Sequence, residues 1–161
     1  MELISAAAEA FADQYSSPES ELLAAIADAT QKNHPKAHML SGHVQGRLLA
    51  LLSKLISPRF VLEIGTFTGY SALGLCEGLS EDGELHTIEN RVEEVVTAQQ
   101  YFNKSNYAHQ IHLHQGEAAA IIPQINITWD LVFIDADKTG YINYYDLVMP
   151  RMRSGGLLIA D

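Results

Sequence analysis

Residues 60–71 read Phe-Val-Leu-Glu-Ile-Gly-Thr-Phe-Thr-Gly-Tyr-Ser. Phe60 to Ile64 is a short apolar run, the pattern of a strand buried on both faces. Gly65 and Gly69 end it in a tight turn where the backbone can pass close to a ligand. A helix at about 70–79 follows, and the first N–H groups of a helix have no internal partners. Strand, glycine turn and helix in this order form the first half of a βαβ unit.

The alternation continues downstream. Strands are expected at 84–88, 111–114, 130–134 and 157–160, with helices at about 91–103, 117–122 and 140–149 between them. Val92, Val95, Val96 and Phe102 mark the expected core face of helix 91–103. Five strands separated by helices predict an α/β fold, a central parallel sheet with helices on both faces. Right-handed crossovers bring all strand C-termini to one edge, and ligands bind outside that edge near the switch in strand order.

Upstream, a helix is expected at 2–13 and a second one begins at Ser16 or Ser17, with Glu19 at capping-box spacing, and runs to about Thr30. Asn33-His34-Pro35 ends it. A third helix, 42–56, has Val44, Leu48, Leu51, Leu52 and Leu55 as its apolar stripe, and Ser57-Pro58 stops it. The 161 residues are read as one domain, with helices in 1–57 and an α/β core in 58–161.

The residues that leave the strand ends carry the chemistry. The turn at 65–71 is not the G-x-G-x-x-G of dinucleotide binding, because Phe67 holds the position of the second glycine. A ligand with a carboxylate and an ammonium fits better than a pyrophosphate, and Glu63 is placed to meet the ammonium. Glu89, at the tip of the second strand, can accept both hydroxyls of a ribose; a solvated acid opening the next helix is the plain alternative. Gly116-Glu117-Ala118 leaves room for a flat ring such as adenine. The fourth strand runs into Asp135-Ala136-Asp137-Lys138 and the fifth into Asp161. On neighbouring strands, Asp135 and Asp161 stand about 5 Å apart. Two hard oxygen donors at that spacing suit Mg²⁺, or another dication such as Mn²⁺ or Ca²⁺. Strand-end acids also serve as helix caps, but like charges this close call for a cation.

Bulk properties set outer limits. A net charge of −10 disfavours a nucleic-acid surface, which needs clustered Lys and Arg. A single cysteine, Cys76, excludes an internal disulfide framework and is expected to be core packing. No apolar run reaches the ~20 residues that span a bilayer, and the opening Met-Glu-Leu-Ile-Ser has no basic signal region, so a cytoplasmic protein without membrane contact is expected. His112 and His114 alternate with Ile111 and Leu113 and should face away from their core side. His34, His38 and His43 read as loop histidines, and Trp129, Tyr141, Tyr144 and Tyr145 as packing.

Four motifs together, Leu-Glu-Ile-Gly-Thr-Phe-Thr-Gly-Tyr-Ser, Thr-Ile-Glu, Phe-Ile-Asp-Ala-Asp-Lys and Gly-Gly-Leu-Leu-Ile-Ala-Asp, resemble the cation-dependent O-methyltransferases, the family of catechol and caffeoyl-coenzyme A O-methyltransferases. The likeness runs from about His38 to Asp161. It implies a Rossmann-like class I fold that binds S-adenosyl-L-methionine. By this resemblance Met39 and Ser41 contact the methionine part of the cofactor, and Glu63, Gly65, Thr66 and Ser71 form its main loop. Glu89 holds the ribose, Ala118 neighbours the adenine, and Asp135 and Asp161 hold the metal. Asp135 and Asp137 also belong to the cofactor side, and Lys138 is the catalytic base. The implied reaction is in-line methyl transfer to a hydroxyl of a small catechol-like or phenolic substrate, with a homodimer as the expected assembly. The family continues past the equivalent of Asp161 with an Asn metal ligand and two further strands, so the chain reads as a shortened member that lacks the last two strands. The rival readings are a tRNA hydroxyuridine O-methyltransferase, a catalytically impaired cofactor-binding fragment and an NAD-dependent oxidoreductase.

Overall fold

The computed structural model describes residues 4–161. Its strands are β1 (Phe60–Ile64), β2 (Glu84–Glu89), β3 (Ile111–Gln115), β4 (Trp129–Ile134) and β5 (Met152–Ala160). All pair in parallel, in the order β3-β2-β1-β4-β5. The chain winds outward from β1 in one direction, returns, and continues from β4 in the other, so the switch point lies between β1 and β4.

Side chains alternate across this sheet, which splits the core in two. On one face Val61, Leu85, Leu131 and Phe133 pack under α2 (Glu21–Asn33), α3 (Gly42–Ile56), α4 (Tyr70–Cys76) and α5 (Val92–Phe102). On the other, Leu62, Ile64, Ile88, Trp129 and Val132 pack under α6 (Ala118–Ile121) and α7 (Tyr141–Val148). Cys76 is buried in the first layer, as its apolar setting suggests. No helix of the described residues is long and apolar enough to cross a membrane.

Several sequence expectations need correction. The first helix, α1, spans Ala6–Tyr15 rather than 2–13; positions 2 and 3 of that expectation lie outside the described residues. The second helix starts not at Ser16 or Ser17 but after Ser20, whose hydroxyl accepts from the Leu23 N–H at 3.3 Å, while Glu19 instead takes a hydrogen bond from the Tyr70 hydroxyl. β5 begins five residues early because a register shift opposite Trp129 to Leu131 absorbs the Gly155-Gly156 pair.

The apolar stripe of α3 is the largest difference. Leu48, Leu51 and Leu55 are 52%, 54% and 72% exposed, and Val44 is exposed as well. The buried face is instead Gly46, Leu49, Ala50 and Ser53. Small side chains let α3 lie so close to α4 that a Cβ on Gly74 would sit 3.2 Å from the Gly46 carbonyl, and the Ser53 hydroxyl donates to the Leu75 carbonyl at 2.6 Å. Close approach, rather than a wide aliphatic stripe, decides which face is covered. On α5 the buried positions are Glu94, Ala98 and Phe102, whereas Val92 and Val96 are exposed. Glu94 tolerates burial because Arg91 pairs with it at 3.1 Å and His34 at 3.4 Å.

Candidate active site

The last residue of β1 and β2, and the residue just after β3, β4 and β5, reach one rim, and the rim encloses a cleft of about 540 Å³. The turn after β1 is its floor. Gly65 has φ +103°, and a Cβ there would lie 2.0 Å from the Asp135 carbonyl oxygen, so the turn presses directly against the end of β4. Hydrogen bonds from the Gly65 and Thr66 N–H groups to the Ile88 carbonyl, at 3.0 and 3.3 Å, tie the same turn to β2. Gly65, Thr66 and Ser71 therefore reach the cleft from one short loop.

Glu89 ends β2 and is buried against that loop. Its Oε2 accepts from the Phe67 N–H at 2.9 Å, and its Oε1 accepts from the N–H groups of Asn90 and Arg91, each at 3.1 Å. Phe67 itself is in the left-handed region at φ +48°, with its ring edge-on to His34 and beneath the Arg91 guanidinium. A non-glycine residue held there is strained, and this one places an aromatic ring and an N–H at the cleft. Ala118 opens α6 at the opposite wall, and Met39 and Ser41 approach from the segment before α3.

Glu63 differs from the other candidates. It has no exposed surface and lies beneath the floor, where Thr87 donates to its Oε2 at 2.5 Å and its Oε1 has no partner. Burial raises its pKa to about 8, against the lowering influence of the nearby Ser71 and Thr87 hydroxyls. A protonated acid with an unused oxygen under a ligand cleft is a reserve of negative charge that a nearby cation would draw out.

Asp135 and Asp161 stand side by side. The ladder between β4 and β5 continues past the strands, with the Asp161 N–H donating to the Ile134 carbonyl at 3.1 Å and the Asp135 N–H to the Ile64 carbonyl at 2.9 Å. Burial and the neighbouring Asp161 charge both raise the Asp135 pKa. The exposed Lys138 ammonium offsets this repulsion only in part, so the Asp135 pKa stays raised; a dication would relieve it further, and carboxylate oxygens are the donors that a hard dication takes. The site fits such an ion with two protein ligands; among the described residues no third Asp, Glu, His or Cys joins them at ligand spacing.

Lys138 departs from expectation. A base at neutral pH requires a depressed pKa, yet this ammonium is 65% exposed and its pKa is raised, first by its hydrogen bond to the Tyr141 hydroxyl. It sits 3.9 Å from Asp135 and also donates to the Asp161 main-chain carbonyl. Asp137, exposed at the rim, is held by the Tyr144 hydroxyl at 2.6 Å and Thr139 at 2.9 Å, and these hydrogen bonds lower its pKa. The two tyrosines, read from sequence as packing, hold the polar side chains after β4, and Tyr144 lines the cleft. Their signal was position alone: helical spacing directly after Asp-Ala-Asp-Lys. Arg91 had no sequence signal beyond following Glu89.

This sheet order, with a glycine turn, a strand-tip acid on β2 and paired acids on β4 and β5, defines the Rossmann-like fold of S-adenosylmethionine-dependent methyltransferases. The chain belongs to the O-methyltransferase family, whose model matches residues 13–161. It is 31% identical over 149 residues to caffeoyl-CoA O-methyltransferase 5 of Nicotiana tabacum, covering 89% of this chain and 62% of that protein. It is 33% identical over 121 residues to a catechol O-methyltransferase of Niastella koreensis, covering 73% and 55%. Among solved structures, the O-methyltransferase TomG of Streptomyces achromogenes in complex with SAM superposes with a TM-score of 0.87 at 31% identity, over 96% of this chain and 71% of that one. An SAH-bound methyltransferase of Podospora anserina gives 0.90 at 26% identity, over 95% and 67%. The chain spans about 62% of the length of the plant relatives it matches.

Proposed function

We propose that this chain is the cofactor- and metal-binding core of an S-adenosylmethionine-dependent, cation-dependent O-methyltransferase that acts on a small catechol-like or phenolic acceptor. The observation that carries the reading is the convergence, in one cleft, of the β1 turn, the Glu89 carboxylate and the Asp135–Asp161 pair. A nucleoside, a charged amino-acid tail and a hard cation would find their complementary groups there, in that order across the rim. The names of the family's relatives support the acceptor class.

The residues divide the work. Glu89, fixed by three main-chain N–H groups, keeps lone pairs on Oε2 for ribose hydroxyls. Gly65, Thr66 and Ser71 would line the amino-acid tail, with Met39 and Ser41 closing over it and the Glu63 charge beneath. Ala118 would bound the adenine, and Asp137 the rim near the sulfonium. Asp135 and Asp161 would hold the dication. The bound groups supply an electrophilic sulfonium methyl and a Lewis acid that lowers the pKa of a coordinated hydroxyl. Lys138 holds its proton in this structure, beside the Asp135 carboxylate and on the main-chain oxygen of Asp161. We propose that, with a dication on those aspartates, the ammonium would release its proton to solvent, and the neutral amine would then take the acceptor's hydroxyl proton. The wall formed by Tyr144 and the β1 turn then serves to keep the attacking oxygen in line with the methyl group.

The test is methyl transfer by this exact chain to a panel of catechol-type acceptors, with Mg²⁺ and with EDTA, beside calorimetry with S-adenosylmethionine and with NADH. Mg²⁺-dependent transfer and selective binding of S-adenosylmethionine are expected. Selective NADH binding would overturn the reading, as would transfer indifferent to EDTA for its metal-dependent part.

A further inference from the structure

Three histidines and a glutamate unconnected with the cleft meet on the sheet face that packs under α6 and α7. β3 is an edge strand, and its register sets His112 directly beside His86 of β2 and His114 beside Ile88. Glu84 precedes His86 by two positions and so shares its face. We propose that Glu84, His86 and His112 form a second metal site, for a transition-metal dication of the zinc type, at the opposite end of β2 from the cofactor cleft.

The donor geometry supports this directly. A tetrahedral ion with ligands at about 2.0–2.1 Å separates its donor atoms by about 3.3 Å. Glu84 Oε2 lies 3.2 Å from His86 Nε2 and 3.5 Å from His112 Nε2, so two of the three edges already have this length. All three donor atoms fall within 4.8 Å of one another. The remaining edge closes by a tilt of the His112 ring, now stacked on His86 at 4.6 Å and 23°. That side chain is 45% exposed and has room to move, whereas the buried His86 is fixed. Three protein ligands leave a fourth position for water, and the exposed edges of Glu84 and His112 give an ion its entry.

The layer behind the donors is also in place. His86 Nδ1 lies 3.0 Å from His114 Nε2, and the His86 ring stands edge-on to Trp129 at 5.5 Å. Without an ion, the carboxylate of Glu84 can only accept, so His86 donates from Nε2 and takes a hydrogen bond on Nδ1 from His114. Ligation through Nε2 displaces the proton there; the proton shared with His114 passes to His86 Nδ1, and His114 takes up the displaced proton on its own Nδ1, so its Nε2 now accepts. The same bond is kept with its polarity reversed, and it orients the ligating ring as outer partners of metal-bound histidines do. Imidazole nitrogens select zinc, copper and nickel over magnesium, which keeps this site chemically apart from the Asp135–Asp161 pair. The five residue steps from Glu84 to Glu89 place it about 16 Å from the cleft rim. A bound ion would clip the edge strand β3 to β2.

The experiment is calorimetry of the EDTA-stripped full chain with ZnCl₂ in excess Mg²⁺, together with thermal melts. One equivalent of Zn²⁺ should bind, raise the Tm, and remain in D135N. H112A and E84Q, both at half-exposed positions, should each weaken it at least about tenfold and remove the Tm rise, by analogy with outer-ligand losses of 10–100-fold. Co²⁺ should give a visible absorption band in the parent that H112A lacks. No Zn²⁺ binding, Zn²⁺ binding abolished by D135N, or parent-like binding in both H112A and E84Q would overturn the site.

Discussion

The Lys138 ammonium lies 3.9 Å from Asp135 Oδ1 and donates to the main-chain oxygen of Asp161, so one exposed side chain reaches the tips of both β4 and β5. It therefore occupies, electrostatically, the place of the proposed dication. Lys138→Ala should lower turnover by at least about 100-fold, the lower end of general acid–base contributions. Cofactor affinity should change little, since Lys138 makes none of the hydrogen bonds that hold Glu89 and the β1 turn. Apparent Mg²⁺ affinity should rise rather than fall, because a competing cation is gone. Steady-state kinetics with a Mg²⁺ titration reads all three, and parent-like turnover removes Lys138 from the chemistry.

Glu63 predicts a proton inventory. Its pKa in the folded chain is about 8, above the ordinary 4.5, because burial disfavours the charge. A raised carboxyl pKa means the folded chain holds a proton that the unfolded chain releases. The associated stability is complete below about pH 4.5 and is lost as pH climbs toward 8. The metal-free chain should thus melt lower at the alkaline end of that window, and Glu63→Gln should flatten the dependence. If the cofactor's ammonium draws Glu63 into its charged form, binding in the middle of the window releases close to one proton. Calorimetry in two buffers of different ionisation enthalpy measures that proton, which should disappear in Glu63→Gln. Binding without proton release in the parent rules out the pairing.

Gly65→Ala tests the floor of the cleft. Its φ of +103° is outside the range of L side chains, and the added Cβ would meet the Asp135 carbonyl at 2.0 Å. Backbone strain of this kind costs on the order of 1–3 kcal/mol before the steric term. The main chain on both sides must then part, displacing Asp135. Expected are a lower urea midpoint and loss of Mg²⁺-dependent cofactor effects beyond what the stability loss explains. A variant that melts and binds like the parent would show the turn to be looser than drawn.

The sequence made the α/β alternation and the strand-tip residues legible because β1, β4 and the end of β5 are short apolar runs and β2 and β3 alternate apolar with polar residues, each closed by Gly, Asp or Glu; right-handed crossovers then bring the strand tips to one edge. Asp135, Asp161 and Glu89 could be placed together for the same reason. Three things were not legible. The depth of Glu63 depends on how closely the β1 turn lies on β4, which only the Gly65–Asp135 contact fixes. The raised rather than depressed pKa of Lys138 comes first from its hydrogen bond to Tyr141, a partner that folding brings to the same rim. The cluster of His86, His112 and His114 required the register of two strands some 26 residues apart, so alternation alone showed only that His112 and His114 face opposite to Ile111.

The faces of α3 give the last test, because periodicity and packing disagree there. Leu49 is 2% exposed and packs in the layer with Ile26 and Leu73, whereas Leu55 is 72% exposed on the aliphatic stripe. Leu49→Ala should cost about 2–5 kcal/mol, the transfer loss of a buried Leu plus the cavity it leaves. Leu55→Ala should stay within about 0.5 kcal/mol, as surface substitutions do, and alanine is no worse a helix former. Urea midpoints at low protein concentration compare the two directly. If Leu55→Ala proves as costly as Leu49→Ala, the aliphatic stripe is covered in solution and the buried face of α3 is not the one formed by Gly46, Leu49, Ala50 and Ser53 alone.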